Sequence, residues 1–153
     1  MAAELTVSRV LASGFGTGYA PAAPGTAGSL AGLLIGALLV LAFGHLGLVL
    51  GIVAFSLLGV WSIGTLGEGR TDPGWIVIDE IAGQMIPLLV LPHLSPAGLV
   101  LAFIAFRFFD ITKLGPIGWA DARHDAWGIM ADDWLAGIAA AIVLVLIRLV
   151  WPL

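Results

Sequence analysis

The sequence predicts an all-α protein, a polytopic membrane helix bundle of about five hydrophobic segments with polar loops that converge on one membrane face. Of its 153 residues, 60% are hydrophobic and 10% are charged, whereas soluble domains carry about 25% charged residues. Residues 10–67, 81–106 and 134–147 contain no Lys, Arg, Asp or Glu, and apolar runs of this length are typical of membrane helices. We expect one integral membrane domain over residues 1–153.

Composition also excludes several kinds of site. The chain has no cysteine, which excludes disulfides, zinc–thiolate centres and thiol nucleophiles. Its formal net charge of −4 gives no basic face for nucleic acid, so we expect no nucleic-acid partner. The sequence leaves the oligomeric state open.

The first two hydrophobic segments follow a stretch rich in Gly and Pro at residues 12–29, which predicts irregular backbone. An apolar run covers residues 30–43, Gly44 and His45 form a predicted turn, and a second run covers residues 46–66. With its flanks, each run approaches the ~20 residues that span ~30 Å of hydrocarbon.

The middle of the chain permits two interpretations. Residues 81–106 are free of charge but contain Pro87, Pro92 and Pro96. They form either one long kinked helix or a hairpin that turns at residues 92–96. Proline blocks helix continuation and disfavours helix in the residue before it, which favours the hairpin, with arms at about 75–91 and 97–111. The last segment is predicted from near Asp133 to Val150.

The choice between these interpretations decides the topology. With the hairpin, the two charged windows at residues 68–80 and 107–133 lie on one face, together with the Gly/Pro-rich stretch. Only Arg148 then lies opposite the basic residues of that face, which are Arg9, Arg70, Arg107, Lys113 and Arg123. Because basic residues are enriched on the cytoplasmic side, this count supports the hairpin and predicts a cytoplasmic polar face.

The entry to the first segment, residues 24–29, is a candidate phosphate site. A helix N-terminus offers free backbone N–H groups and a positive dipole end, which suit a phosphate. Gly25 lets the backbone approach a ligand, and Thr26 and Ser29 add hydroxyl donors. Alternatively, Thr26 or Ser29 is an ordinary N-cap.

Two pairs of adjacent acids lie in apolar surroundings, Asp79 with Glu80 and Asp132 with Asp133. Acids within membrane segments are costly unless water, a cation or a partner is near, and carboxylate oxygens suit Mg²⁺. Either pair alone could occupy the first turn of a helix as a favourable end charge. Two pairs on one predicted face favour a divalent-metal site.

A third polar group recurs at every third residue, as Arg107, Asp110 and Lys113. On a helix these residues form one stripe. The stripe is either an ion-pair ladder at the membrane interface or a site in which Asp110 meets a metal and the two cations hold a phosphate.

These segments together resemble the phosphatidylglycerophosphatase A family of bacterial membrane phosphatases over nearly the whole chain. The matching residues are Gly14-Phe15-Gly16-Thr17-Gly18 with Pro21, Pro24-Gly25-Thr26-Ala27-Gly28-Ser29, Asp72-Pro73, Ile78-Asp79-Glu80 with Gly83-Gln84, Phe106-Arg107-Phe108-Phe109-Asp110 with Lys113, and Gly128-Ile129-Met130-Ala131-Asp132-Asp133 with Ala136-Gly137. The chain departs from the family pattern at Leu114-Gly115, where Pro-Trp is usual, and at Asp125-Ala126, where a Gly-Gly pair is usual.

The resemblance implies Mg²⁺-dependent hydrolysis of the terminal phosphate of phosphatidylglycerophosphate at a bacterial inner membrane, giving phosphatidylglycerol and phosphate. Our hypothesis for the site assigns two sets of residues. Catalytic carboxylates are Asp79, Glu80, Asp110, Asp132 and Asp133, of which Asp79, Glu80, Asp132 and Asp133 bind the metal. Phosphate oxygens are held by Gly25, Thr26, Ser29, Arg107 and Lys113. Attack by water and an aspartyl-phosphate intermediate are both open.

Two other functions remain as alternatives. A small cation transporter or channel would use intramembrane acids along a pore and would move ions without releasing phosphate. A non-catalytic membrane subunit would use the polar loops to dock a partner. A phosphotransferase that uses CDP-alcohol donors is disfavoured because its spaced aspartate motif is missing from the sequence.

Overall fold

A computed structural model describes residues 6–67 and 73–151, and every regular element in these two ranges is helical. The prediction of an all-α fold is therefore confirmed for the described residues. The α-helices are α1 (Val7–Ala12), α2 (Pro24–Leu66), α3 (Ile78–Met85), α4 (Pro96–Thr112), α5 (Pro116–Asp121) and α6 (Ala126–Val150), and short 3₁₀ helices cover Thr17–Tyr19 and Ile86–Val90.

Helix α2 is two helical arms joined at Gly44, whose φ of 67° and ψ of −166° are not helical. The arms fold back on each other, since a Cβ at Gly36 would lie 3.4 Å from Leu48 Cδ1. In a continuous helix these two residues would be about 18 Å apart along the axis. The predicted turn at Gly44 and His45 is confirmed.

The chain also breaks between α3 and α4, so the interpretation of residues 81–106 as one helix is wrong. Ser95 caps α4 by accepting a hydrogen bond from the Gly98 N–H at 3.0 Å. The predicted first arm covers residues 75–91, but its helical part is shorter. That part consists of α3, which ends at Met85, and the 3₁₀ helix Ile86–Val90 that follows directly. Pro87 lacks the N–H that an α-helix requires there. The two helical pieces together rise about 22 Å, which is short of the ~30 Å hydrocarbon core.

Helix α6 begins earlier than the predicted start near Asp133. Asp125 is its N-cap and accepts a hydrogen bond from the Gly128 N–H at 2.6 Å. Asp132 and Asp133 therefore lie inside the helix, and the interpretation of this pair as N-terminal acids is wrong. Within the described residues, α2 and α6 have the length and apolar composition that a membrane span needs.

The short helix α3 lies at the centre of the bundle. Glycines, which have no side chain, let α2 and α6 approach it closely on two sides. A Cβ at Gly32 of α2 would lie 2.5 Å from the Ile81 carbonyl oxygen of α3. On the other side, a Cβ at Gly83 would lie 2.6 Å from the Asp133 carbonyl oxygen of α6, and one at Gly137 would collide with the Gly83 carbonyl. These contacts bring the acids of α3 and α6 together.

Candidate functional site

Three acids from two helices form a compact group that we call the acid cluster, Asp79, Glu80 and Asp133. One oxygen from each carboxylate lies within 4.8 Å of the others. The cluster is well covered, since Asp79 is 6% and Asp133 2% exposed. Within the described residues, Glu80 Oε2 and Asp133 Oδ1 are buried and have no hydrogen-bond partner.

The acid cluster fits a divalent cation. Three carboxylates in a buried space repel one another, and buried charges normally pair or coordinate a metal. Mg²⁺ and related hard cations take carboxylate oxygens as ligands. Asp110 is near enough to add to the negative potential at Glu80 and Asp133. The chemistry of these donors therefore suits a hard divalent cation.

A cationic side of the site is built around Arg107 of α4. Its guanidinium forms a close ion pair with Asp110, one helical turn later, and Nη1 donates to Ser29 Oγ at 3.4 Å. Ser29 Oγ in turn donates to the Gly25 carbonyl at 2.8 Å. These bonds hold Arg107 between α4 and the first turns of α2.

The first turn of α2 lies against the acid cluster. A Cβ at Gly25 would lie 2.5 Å from Glu80 Oε1 and 3.4 Å from Arg107 Nη1, so only a glycine leaves this space open. Neither Thr26 nor Ser29 is the N-cap of α2, because that position is Ala23. The capping interpretation of the two hydroxyl residues is therefore wrong.

Lys113 ends α4 in a left-handed conformation, with φ of 51°. Its ammonium pairs with Asp121 of α5 at 3.0 Å and forms a close ion pair with Asp132 of α6. Partial burial lowers the pKa of Lys113, but the hydrogen bond and charge of Asp132 outweigh it and raise that pKa above its ordinary value. Of the predicted ladder, the structure therefore contains the Arg107–Asp110 pair, while Lys113 pairs with α5 and α6.

The structure separates two acids that are adjacent in sequence. Asp133 belongs to the acid cluster, whereas Asp132 pairs with Lys113 and accepts the Asp133 backbone N–H at 3.0 Å.

Thr26 is half-buried in the same first turn as Gly25. Arg70 was counted for the topology and Asp72 for the family resemblance, and both lie outside the described residues.

Sequence reasoning missed one residue of this region and named another, Gln84, only as part of the family resemblance, without giving it a role. Asp121 holds Lys113 from α5, and no spacing in the sequence pointed to it. Gln84 is fully buried on α3. A signal for Gln84 was present, because it follows Glu80 by one helical turn within an apolar run.

Comparison with known proteins decides the family. The sequence model described as Phosphatidylglycerophosphatase A matches residues 10–148. The chain belongs to the phosphatidylglycerophosphatase A family. The resemblance found in the sequence is thus confirmed.

Two relatives, both named phosphatidylglycerophosphatase A, are similar over most of their length. The Haemophilus influenzae protein is 43% identical over 143 residues, which cover 91% of this chain and 87% of the relative. The Escherichia coli protein is 37% identical over 150 residues, covering 94% of this chain and 85% of the relative. No solved structure matches the chain.

Proposed function

We propose that this protein is a membrane phosphatase that uses Mg²⁺ to hydrolyse the terminal phosphate of phosphatidylglycerophosphate, releasing phosphatidylglycerol and inorganic phosphate. Family membership, with relatives of that name at 37–43% identity, supports the reaction and the substrate. The single structural observation behind the cation is the acid cluster, with oxygens within 4.8 Å of one another.

Asp79, Glu80 and Asp133 would hold the Mg²⁺. When bound, the ion neutralises phosphoryl oxygens and makes a coordinated water more acidic. Asp132, also predicted as a ligand, is assigned a different task because its carboxylate already pairs with the Lys113 ammonium. Asp110 is assigned to holding the Arg107 guanidinium in place.

The phosphate oxygens are held by groups on the other side of the site. A phosphate monoester carries close to two negative charges, so cationic donors are needed to stabilise it and the charge that develops in the transition state. Arg107 supplies a planar set of N–H donors, and Lys113 supplies a permanently charged ammonium. Gly25 contributes a backbone N–H from the first turn of α2, and Thr26 and Ser29 contribute hydroxyls.

We propose a multi-pass protein of a bacterial inner membrane, with five hydrophobic segments and a cytoplasmic site; the bacterial relatives support the membrane, and the two ends of the bundle support the orientation. The acid cluster lies at one end. At the other, His45 Nε2 is 3.0 Å from the Leu91 carbonyl and Arg148 donates to the Val90 carbonyl. Among the described residues, Arg148 thus lies at the end opposite Arg107 and Lys113, which favours a cytoplasmic cluster.

A site at a membrane surface also suits the proposed substrate. The phosphorylated head group of a lipid meets water at the interface, while its acyl chains stay in the hydrocarbon. The outer faces of the α2 arms are apolar and exposed, for example at Leu34, Leu41 and Leu57. These side chains would contact the hydrocarbon of the bilayer.

The proposal is tested by phosphate release from the purified protein in mixed micelles of detergent and phosphatidylglycerophosphate, with and without Mg²⁺. We expect release only with Mg²⁺, and loss of release in folded Glu80→Gln and Asp133→Asn. Asp125→Asn is the matched control, because Asn caps a helix as well as Asp does and Asp125 lies outside the acid cluster.

Three results would contradict the proposal. Turnover that survives Asp133→Asn would remove the acid cluster from the reaction. Ion flux in vesicles without any phosphate release would favour the transporter. Absence of both activities in folded protein would favour a non-catalytic subunit.

A further inference from the structure

Gln84 is a buried polar side chain that the packing of the bundle leaves unexplained. It is 0% exposed, and neither its amide oxygen nor its amide nitrogen has a hydrogen-bond partner within residues 6–67 and 73–151. Buried side-chain amides are nearly always hydrogen-bonded, and leaving them unpaired is costly. A group that satisfies both atoms of Gln84 is therefore expected.

The position of Gln84 on α3 indicates where that group lies. Residues four apart on a helix share a face, and helical side chains lean toward the N-terminus. By this rule we expect the Gln84 side chain to lean toward the turn that bears Glu80. The preceding residue, Gly83, packs on α6 so closely that a Cβ would lie 2.6 Å from the Asp133 carbonyl.

Four buried polar atoms without partners thus come from the same two contacting helices. They are Glu80 Oε2, Asp133 Oδ1 and both amide atoms of Gln84. One hydrated cation would satisfy the three oxygens, since Mg²⁺ keeps several waters and accepts both carboxylate and amide oxygens. The amide nitrogen is a donor, and a carboxylate oxygen of the acid cluster would accept its hydrogen bond. A neutral amide adds a ligand or a water contact without adding to the repulsion among the three acids.

We propose that Gln84 is a fourth member of the cation site, a positioning residue whose amide oxygen faces the cation or a water bound to it. Its NH₂ group donates to an oxygen of the acid cluster and fixes that carboxylate. The inference rests on the proposed function, because it requires the acid cluster to bind a cation. It predicts that removing the amide weakens cation binding even where the fold is unharmed.

The test uses Mn²⁺ as the probe and the electron paramagnetic resonance signal of free Mn²⁺ as the readout, with the full chain purified in detergent. Gln84→Leu keeps the size of the side chain and removes both polar atoms. We expect it to weaken Mn²⁺ binding by about tenfold, as loss of a supporting group at a metal site usually does. Met85→Leu, the next buried residue of α3, is the matched control and should bind Mn²⁺ as the wild type does.

Thermal unfolding gives a second readout. Without metal, Gln84→Leu should unfold no earlier than the wild type, because it removes a buried amide that lacks partners. With added Mg²⁺, its unfolding temperature should rise less than that of the wild type.

Each outcome decides the inference. Wild-type Mn²⁺ affinity in folded Gln84→Leu would overturn it and would leave the acid cluster intact as the cation site. No Mn²⁺ binding by the wild type would overturn both this inference and the proposed cation. If Gln84→Leu does not fold, Gln84→Glu is measured instead. The added carboxylate should tighten Mn²⁺ binding, and unchanged binding would overturn the inference.

Discussion

Gly25→Ala changes a position at which α2 lies against both Glu80 and Arg107. The added Cβ would lie 2.5 Å from Glu80 Oε1, roughly 1 Å closer than an ordinary carbon–oxygen contact of about 3.3–3.6 Å. Because the clash is with the end of a side chain, Glu80 must move while the helix stays. Displacing a reacting group by about 1 Å can cost about 100-fold in rate.

The same substitution should not harm the fold. Alanine is better than glycine inside a helix by about 1 kcal/mol, and Gly25 lies in the first turn of α2. We therefore expect kcat for phosphate release to fall about 100-fold at an unchanged or higher unfolding temperature.

Gly64→Ala is the matched control for this prediction. A Cβ at Gly64, in the second arm of α2, would meet no atom within 4 Å, so it gains the same helix propensity without touching Glu80. Release should continue at the wild-type rate. Wild-type turnover in Gly25→Ala would refute the reasoning, because it would show that the position of the Glu80 carboxylate does not matter.

Three further predictions concern the surroundings of the site. Asp132→Asn removes one of the two acidic partners of Lys113 and should raise KM about tenfold, the equivalent of the ~1.5 kcal/mol of a charged hydrogen bond. Loss of Mn²⁺ binding would instead make Asp132 a ligand. Gly32→Ala inserts a Cβ 2.5 Å from a backbone oxygen of α3 and should destabilise the protein by about 1–3 kcal/mol in unfolding assays; an unchanged midpoint would contradict the packing. The pKa of Asp125 is lowered by the hydrogen bond from Arg123 and by the backbone N–H that it caps. The stabilisation by Asp125 is thus present above the unfolded-state pKa and disappears as pH falls through the folded-state pKa. The unfolding temperature of Asp125→Asn should therefore fall less than that of the wild type as the pH is lowered. Equal slopes of unfolding temperature against pH in the two proteins would contradict this.

Much of the helix pattern could be predicted because it depends on local chemistry. Proline has no N–H to donate, so the break near Pro96 could be predicted from the sequence. The turn at Gly44 could be predicted because this glycine lies between two apolar runs. The start of α6 could not be predicted in the same way. Two adjacent acids looked like the beginning of a helix, but a single side chain at Asp125 caps it earlier.

The extent of α3 was also beyond the sequence pattern. Residues 75–91 are apolar enough for a span, yet the helix is short and buried on most of its surface. The helix is buried because glycines of α2 and α6 let these two helices pack closely against it. Such contacts join residues that are far apart in the chain, so the local sequence pattern does not predict them. Apolar composition alone does not distinguish a buried helix from one that faces lipid.

The acids of the site were predictable as types, but their partners were not. Adjacent residues on a helix point about 100° apart, so Asp132 and Asp133 face different neighbours. Asp133 meets α3, and Asp132 meets Lys113. Which of the two faces the cluster depends on the rotation of α6, and that rotation is set by packing rather than by the acids.

The central claim is that acids from α3 and α6 share one cation, and a double-mutant cycle on Mn²⁺ affinity tests it most directly. The cycle compares the wild type, Glu80→Gln, Asp133→Asn and the double variant, each checked for folding. We predict that either single change nearly abolishes binding and that the double variant loses little more, because both carboxylates act on the same ion. Wild-type affinity in either single variant, or two partial losses that simply add, would contradict the claim.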